Sequence, residues 1–333
     1  MTTPLTVARP PRPRRIFMLG ATGTIGRATV QALMARGHEV VCFTRATAHA
    51  DQPLIIPGAT VRHGDVGDPG SLTRDGFRGE TFDALVSCMA SRSGTPKDAW
   101  AIDHRAHTHA LQAAKAHGVS QVVLLSAICV QKPQLAFQHA KLAFERELIA
   151  SGLTYSIVRA TAFFKSLSGQ VERVRSGKSF LLFGDGTLTA CKPVSDDDLG
   201  AYLADCLDDV TRHDRILPIG GPGPAITPRE QGERLFALTG RTPKYTRVPV
   251  AMMDVIIGVL STLGRVIPKL ADKAEFARIG RYYATESMLV WDPQRQRYDA
   301  NETPEFGTDT LFGFYEALVR GETGAERGEH AVF

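Results

Sequence analysis

The amino-acid sequence predicts an α/β protein built on a doubly wound parallel sheet with a smaller C-terminal region, and three observations carry that expectation. Residues 14–27 read RRIFMLGATGTIGR, an apolar run followed by three evenly spaced glycines and then a helical segment. Short apolar stretches alternate with helical ones as far as residue 160, the pattern of repeated strand–helix units. After Thr161 the rhythm changes: glycine, proline and aromatic residues become frequent, and no second glycine loop occurs. The chain thus divides into a disordered basic arm over 1–13, a Rossmann-type unit over 14–160 and a further substrate-binding region over 161–333, with room for some of its elements to return to the sheet.

The first strand is Ile16 to Leu19, apolar without alternation, as expected of a strand buried on both faces. Gly20 makes the tight turn, Gly23 lets a pyrophosphate approach the backbone, and Gly26 lets the helix pack close to the strand. Thr22, Thr24 and Ile25 complete the loop, and the helix N-terminus turns its free N–H groups toward the phosphates. Residues 20–26 are therefore nucleotide-binding candidates, and a tight turn without a ligand is the structural alternative.

Glu39 to Phe43 is the second strand, entered through Gly37. An acid near its end would bind a ribose 2′-hydroxyl. None is present, and Arg45 offers a guanidinium fork suited to a 2′-phosphate, which favours NADPH over NADH. The third strand, Ala59 to His63, leads to Asp65 and Val66, placed to contact adenine, with a loop cap an equally simple role for Asp65. The fourth, Ala84 to Cys88, delivers Cys88, Met89 and Ala90 to the carboxyl edge where ligands sit in such sheets. A long helix follows, from about Ala99 to His117. The fifth strand, Val122 to Leu125, presents Ser126 at the same edge. A helix over about Gln138 to Ala150 and a sixth strand, Tyr155 to Arg159, complete the unit, and Phe163 overhangs its edge.

Composition bounds the function. The chain has 333 residues, 43% hydrophobic and 22% charged, with 39 basic and 35 acidic residues and a net charge of +4. That excess suits an anionic ligand but does not argue for nucleic acid. Cys42, Cys88, Cys129, Cys191 and Cys206 form no CxxC pair, so they read as reduced core residues of a cytoplasmic protein rather than cluster ligands. The N-terminal residues have no apolar core of a secretory signal; a basic arm is the reading, with a transit peptide the alternative. Val250 to Ile267 is the most apolar stretch of the second half, interrupted by Asp254 and Arg265 and too short in its apolar runs to span a bilayer. We expect a buried or pocket-lining helix there; an interfacial membrane helix, and with it peripheral contact with a membrane, is the alternative.

Lys141 is the catalytic candidate. Short-chain dehydrogenases place a tyrosine four residues before such a lysine, so that both enter one cleft. Here that position is Phe137, and no phenol stands ready to protonate a carbonyl oxygen. Lys141 can still bind the nicotinamide ribose and lend a proton. His104, His107 and His109 lack further ligands and read as structural or surface histidines, so no metal is expected. Asp196, Asp197 and Asp198 open a helix, where its dipole favours carboxylates. Phe137, Phe164, Tyr282, Tyr283 and Met288 together allow a large, flat, apolar ligand, although any single one of them is more often core than pocket.

The spacing GxxGxxG resembles the extended and atypical short-chain dehydrogenases. With HAKLAFERELIASGLTYSIVRATAFFKSLSGQ, KSFLLFGDGTLTACKPVSDDDLG and above all IGRYYATESMLVWD, the chain resembles the 8-vinyl-reductases of divinyl chlorophyllide over about residues 14–316. That resemblance implies NADPH-dependent reduction of the 8-vinyl group of a divinyl chlorophyllide or protochlorophyllide to ethyl, in chlorophyll or bacteriochlorophyll synthesis, in a protein cytoplasmic or peripheral to photosynthetic membranes. The glycine loop and lysine helix are shared with NmrA-like NADP-sensing regulators and isoflavone-reductase-like enzymes, which are the two alternatives. The oligomeric state is not legible.

Overall fold

The computed structural model describes residues 12–45 and 56–323. The arm expected over 1–13 lies, as far as residue 11, outside the described residues. In chain order the strands are β1 (Arg15–Leu19), β2 (Glu39–Thr44), β3 (Thr60–His63), β4 (Ala84–Ser87), β5 (Gln121–Ala127), β6 (Thr154–Ala160), β7 (Phe180–Phe183), β8 (Arg215–Ile219), β9 (Tyr245–Val248), β10 (Val290–Asp292) and β11 (Arg297–Asp299). Among the described residues, seven form one parallel sheet in the order β3-β2-β1-β4-β5-β6-β8. β1 lies between β2 and β4, pairing Ile16 with Val40 on one side and Ala84 on the other. The chain order reverses at β1 and β4, and that switch point opens a crevice at the carboxyl edge.

Burial explains the apolar run of β1. Ile16 and Met18 face a core with Val30, Leu33, Leu199 and Leu203. Phe17 and Leu19 face the opposite core with Phe43, Phe77 and Leu148, and Phe17 stacks on Phe77 at 4.0 Å. With both faces covered, neither set of alternate residues can be polar.

Residues beyond 161 contribute to this layer. β8 adds to β6, and the helix Asp196–Asp205 lies on the first helix, Thr24–Ala35. The contact is close because residue 200 is glycine: a Cβ there would stand 2.7 Å from the Ala28 carbonyl carbon. Beyond the sheet, β7 pairs with β9, and the helices Pro228–Thr239 and Leu311–Arg320 close a smaller core around Phe180, Leu235 and Tyr315.

Two expectations are corrected. The helix expected over residues 99–117 starts at Pro96 and ends at Ala116, and its middle, Trp100–Ala106, is a π-helix. The extra residue in that turn shifts the register of the side chains that follow. The stretch expected to be a buried helix over 250–267 is a helix only over Val250–Gly264, and none of its residues is buried. Its main packing partner is the next helix, Pro268–Thr285, not the sheet. No helix among the described residues is long and apolar enough to cross a membrane.

Candidate active site

The glycine loop joins β1 to the first helix at the switch point. Gly20 has φ +78°, and a Cβ on it would lie 2.5 Å from the Cys88 carbonyl carbon and the Met89 nitrogen. A Cβ on Gly26 would lie 2.0 Å from the Gly20 carbonyl oxygen. Only glycine fits either place. Gly23 differs: it is the N-cap of the helix, in extended conformation, and its nearest obstacle to a Cβ is 3.7 Å away. No side chain caps this helix and no acid stands in its first turn, so the N–H groups of its first turn, at Thr24, Ile25 and Gly26, are open to an anion. The cradle fits a dinucleotide pyrophosphate. Arg45 is exposed directly after β2.

Other expected cofactor residues divide. Cys88 and Met89 lie against the loop, and Ala90 is exposed beside them. Burial pushes the Cys88 thiol up to about 12 against a hydrogen bond from Thr29, so it stays neutral and is no nucleophile. Phe163 is half-buried at the end of β6, bridged to Val194. Asp65 accepts the Gly67 N–H at 2.8 Å, the turn-capping role. The Val66 side chain is buried in the core with Phe43 and Leu72, which leaves its backbone for any contact with adenine. The Ser126 hydroxyl donates to Glu145 at 2.6 Å. Glu145 is itself buried, bonded to Arg159, and a buried carboxylate needs such donors.

Lys141 projects from the helix Ala136–Ile149, one turn after Phe137, and its ammonium lies 2.9 Å from Asp103. The pair is nearly dry, with side chains 13% and 0% exposed. Asp103 stands in the π turn, which brings it to face Lys141, and its Oδ1 also accepts the Ser91 N–H at 3.2 Å. Burial alone would raise its pKa, but the Lys141 charge and these hydrogen bonds hold it below the usual carboxylate range. Its Oδ2 is buried without a partner among the described residues. Asp103 was not foreseen from sequence. It is one of two acids in an alanine-rich helix, Asp98 being the other, and the π turn brings it to Lys141.

His107 lies behind this pair. Its Nε2 is 2.9 Å from the Ser87 hydroxyl and its Nδ1 is 2.8 Å from the Ile102 carbonyl oxygen. Burial, then the Lys141 charge, pushes its pKa down to about 4. The unfolded chain therefore binds more protons than the folded one between pH 6.5 and 4, and stability is lost as pH falls through that window. We expect the His107 contribution to fall by about 2 kcal/mol between pH 7 and pH 5. Urea unfolding of wild type and His107→Gln at both pH values checks it: the slope should be shallower in the variant, and equal slopes would contradict the burial effect.

The proposed ligand surface also divides. Phe137 is buried in one core with Ile279, Tyr282 and Met288 and flanks Ile279 across Gly94, whereas Tyr283 remains 36% exposed with its hydroxyl 4.0 Å from Cys129 Sγ. Three more of these residues are buried. Phe164 is buried in the C-terminal core, its ring 5.5 Å from Phe314. Tyr282 is buried, and its phenol donates to the carbonyls of Cys129 and Lys132, tying its helix to the loop after β5. Met288 is buried beside Cys191. Apolar character cannot separate core from pocket.

The histidines have protein partners: His104 bonds Glu147 at 2.6 Å, and His109 bonds the Gly67 carbonyl. Of the three aspartates at the head of the helix Asp196–Asp205, Asp196 reaches the phosphate loop. Burial raises its pKa against a hydrogen bond from Thr24, which keeps a carboxyl group toward its neutral form beside an anion site. Sequence assigned it only a helix-dipole role.

Comparison with known proteins follows this geometry. A family described as NAD(P)H-binding matches residues 20–210. The chain is 49% identical to the chloroplastic divinyl chlorophyllide a 8-vinyl-reductase of Oryza sativa subsp. indica, over 97% of this chain and 83% of that one. It is 46% identical to the protein of the same name from Arabidopsis thaliana, over 98% and 82%. In fold it is similar to a solved NADPH-dependent quinone oxidoreductase from Escherichia coli complexed with NADPH, with a TM-score of 0.63 at 20% identity, covering 91% of this chain and 99% of that one.

Proposed function

The chain belongs to the divinyl chlorophyllide a 8-vinyl-reductase family, and from that membership we propose that it reduces the 8-vinyl group of a divinyl chlorophyllide, or of its protochlorophyllide precursor, to ethyl. The observation that carries this reading is identity spanning nearly the whole chain, including the region beyond the NAD(P)H-binding match. NADPH supplies the hydride when bound, and residues 20–26 and Arg45 hold it.

The remaining chemistry belongs to this chain. A vinyl group has no oxygen to receive a proton, so Phe137 is sufficient where a carbonyl reductase needs a phenol. Lys141, or a water that it orders, donates a proton to the inner carbon of the vinyl group after negative charge has spread into the macrocycle. Asp103 is a positioning residue: it holds the ammonium in place through a buried ion pair. Tyr283, partly exposed, supplies aromatic wall for the pigment. The reading places the protein in the cytoplasm or peripheral to photosynthetic membranes.

Anaerobic incubation with divinyl chlorophyllide and NADPH tests the proposal. The Soret band should shift to the blue as the conjugated vinyl group is lost, and the product should gain two hydrogens in mass. Cofactor binding with no pigment turnover would instead identify an NADP-sensing regulator.

Arg45 gives the cofactor prediction. Arg45→Ala should weaken NADPH binding by about 1.5–3 kcal/mol, through loss of charge-assisted bonds to the 2′-phosphate, and leave NADH nearly unaffected. Titration of both cofactors into the variant checks it, and equal losses would remove Arg45 from the phosphate site.

A further inference from the structure

The helix Val250–Gly264 carries Met252, Val255, Ile256, Val259 and Leu263 on one exposed face, at spacings that form a helical stripe. Val266, in the turn that follows, is 83% exposed. An apolar stripe of this length on a water-facing surface marks an interaction site. The acids near it are occupied: Asp254 bonds Arg281, and Glu275 bonds Arg278 at 3.0 Å. Arg265, Lys269 and Lys273, at the turn and the start of the second helix, are exposed and make no ion pair among the described residues; Asp272 is the exposed acid among them.

We propose that the hairpin of Val250–Gly264 and Pro268–Thr285 docks on an anionic lipid surface, with the apolar stripe in the headgroup–acyl boundary and the cations of the turn on lipid phosphates. The charge argues for this occupant: an apolar face rimmed by unpaired cations matches a negative bilayer surface, where lysine and arginine stems lie along the apolar face and their heads meet the phosphates. The interaction is peripheral, since neither helix is long and apolar enough to cross.

Continuity with the active site gives the docking a purpose. The inner side of the second helix is fastened to the site wall: Glu275 accepts the Ala136 N–H at 3.4 Å, Tyr282 holds the loop after β5, and Ile279 stands beside Phe137 across Gly94. Docking therefore brings the mouth of the cleft to the membrane, from which an amphipathic pigment enters without crossing water. This last step rests on the reductase reading; the lipid contact does not.

The test is flotation of the full chain with phosphatidylcholine vesicles, with and without phosphatidylglycerol, in the absence of pigment. Wild type should float with the anionic vesicles and lose binding as salt rises. Val255→Asp/Val259→Asp should lower the bound fraction by about tenfold or more on every vesicle, and Lys269→Glu/Lys273→Glu should do so on anionic vesicles alone. Both variants should keep wild-type turnover on detergent-dispersed pigment. Wild type that does not float with anionic vesicles overturns the proposal. So does a dimer in light scattering that Val255→Asp/Val259→Asp splits, because a second copy then covers the face. Turnover without flotation sinks the docking surface alone, whereas flotation without turnover sinks the reductase reading alone.

Discussion

Gly23→Val should abolish NADPH binding while the protein stays folded. The backbone at Gly23 has φ −72° and ψ 162°, an extended conformation that valine adopts readily. Only the Gly20 carbonyl oxygen stands within 4 Å of a Cβ there, at ordinary contact distance, so the first side-chain carbon fits without strain. The branched side chain would occupy space beside the open helix N-terminus, where we propose that the pyrophosphate lies. Fluorescence titration should show at least a 10²-fold loss of affinity, the scale of removing several charge-assisted bonds at once, with a melting temperature near that of wild type. The neighbouring glycines give a contrast. Gly26→Ala drives a Cβ into the Gly20 carbonyl and should lower both affinity and melting temperature. Unchanged NADPH affinity in Gly23→Val would remove this loop from the site.

The second large effect is at Lys141. Lys141→Ala should lower turnover by about 10²-fold or more, the range of general acid catalysis. It also leaves Asp103 buried with no counter-charge, a change that costs about 3–5 kcal/mol when a dry pair loses one partner. Turnover must therefore be measured well below the melting temperature of the variant. Lys141→Arg should keep the ion pair and most of the stability but donate poorly, because guanidinium stays protonated. Recovery of stability without recovery of rate is the signature expected. Phe137→Tyr should bring no gain, since the reaction offers no alkoxide. Wild-type turnover in Lys141→Ala would assign the proton to another donor.

What sequence made legible was local. The run from Ile16 to Gly26 carries strand, turn and helix within one contiguous segment, and the structure has each where the pattern put it. Phe137 and Lys141 were linked by a single helical turn. Asp103 was out of reach, because its partnership depends on a π turn that an alanine-rich stretch does not announce. Ser126 sits at the expected edge, but Glu145, from a distant segment, takes its hydroxyl. Phe164, Tyr282 and Met288 show the limit of composition: an apolar side chain announces that it leaves water, not whether a core or a ligand receives it. The same limit applies to residues 250–267, whose apolarity read as burial in protein and whose face is open.

We propose that this site reduces a carbon–carbon double bond with a proton fed through Lys141 to the inner vinyl carbon. The direct measurement is one turnover of divinyl chlorophyllide with unlabelled NADPH in deuterium oxide, followed by mapping of deuterium in the new ethyl group. A single deuterium on the inner carbon, with none on the terminal carbon, is the predicted result, and Lys141→Ala should form that product about 10²-fold more slowly. Deuterium on the terminal carbon would contradict the scheme, and Lys141 would lose its role as the source of that proton.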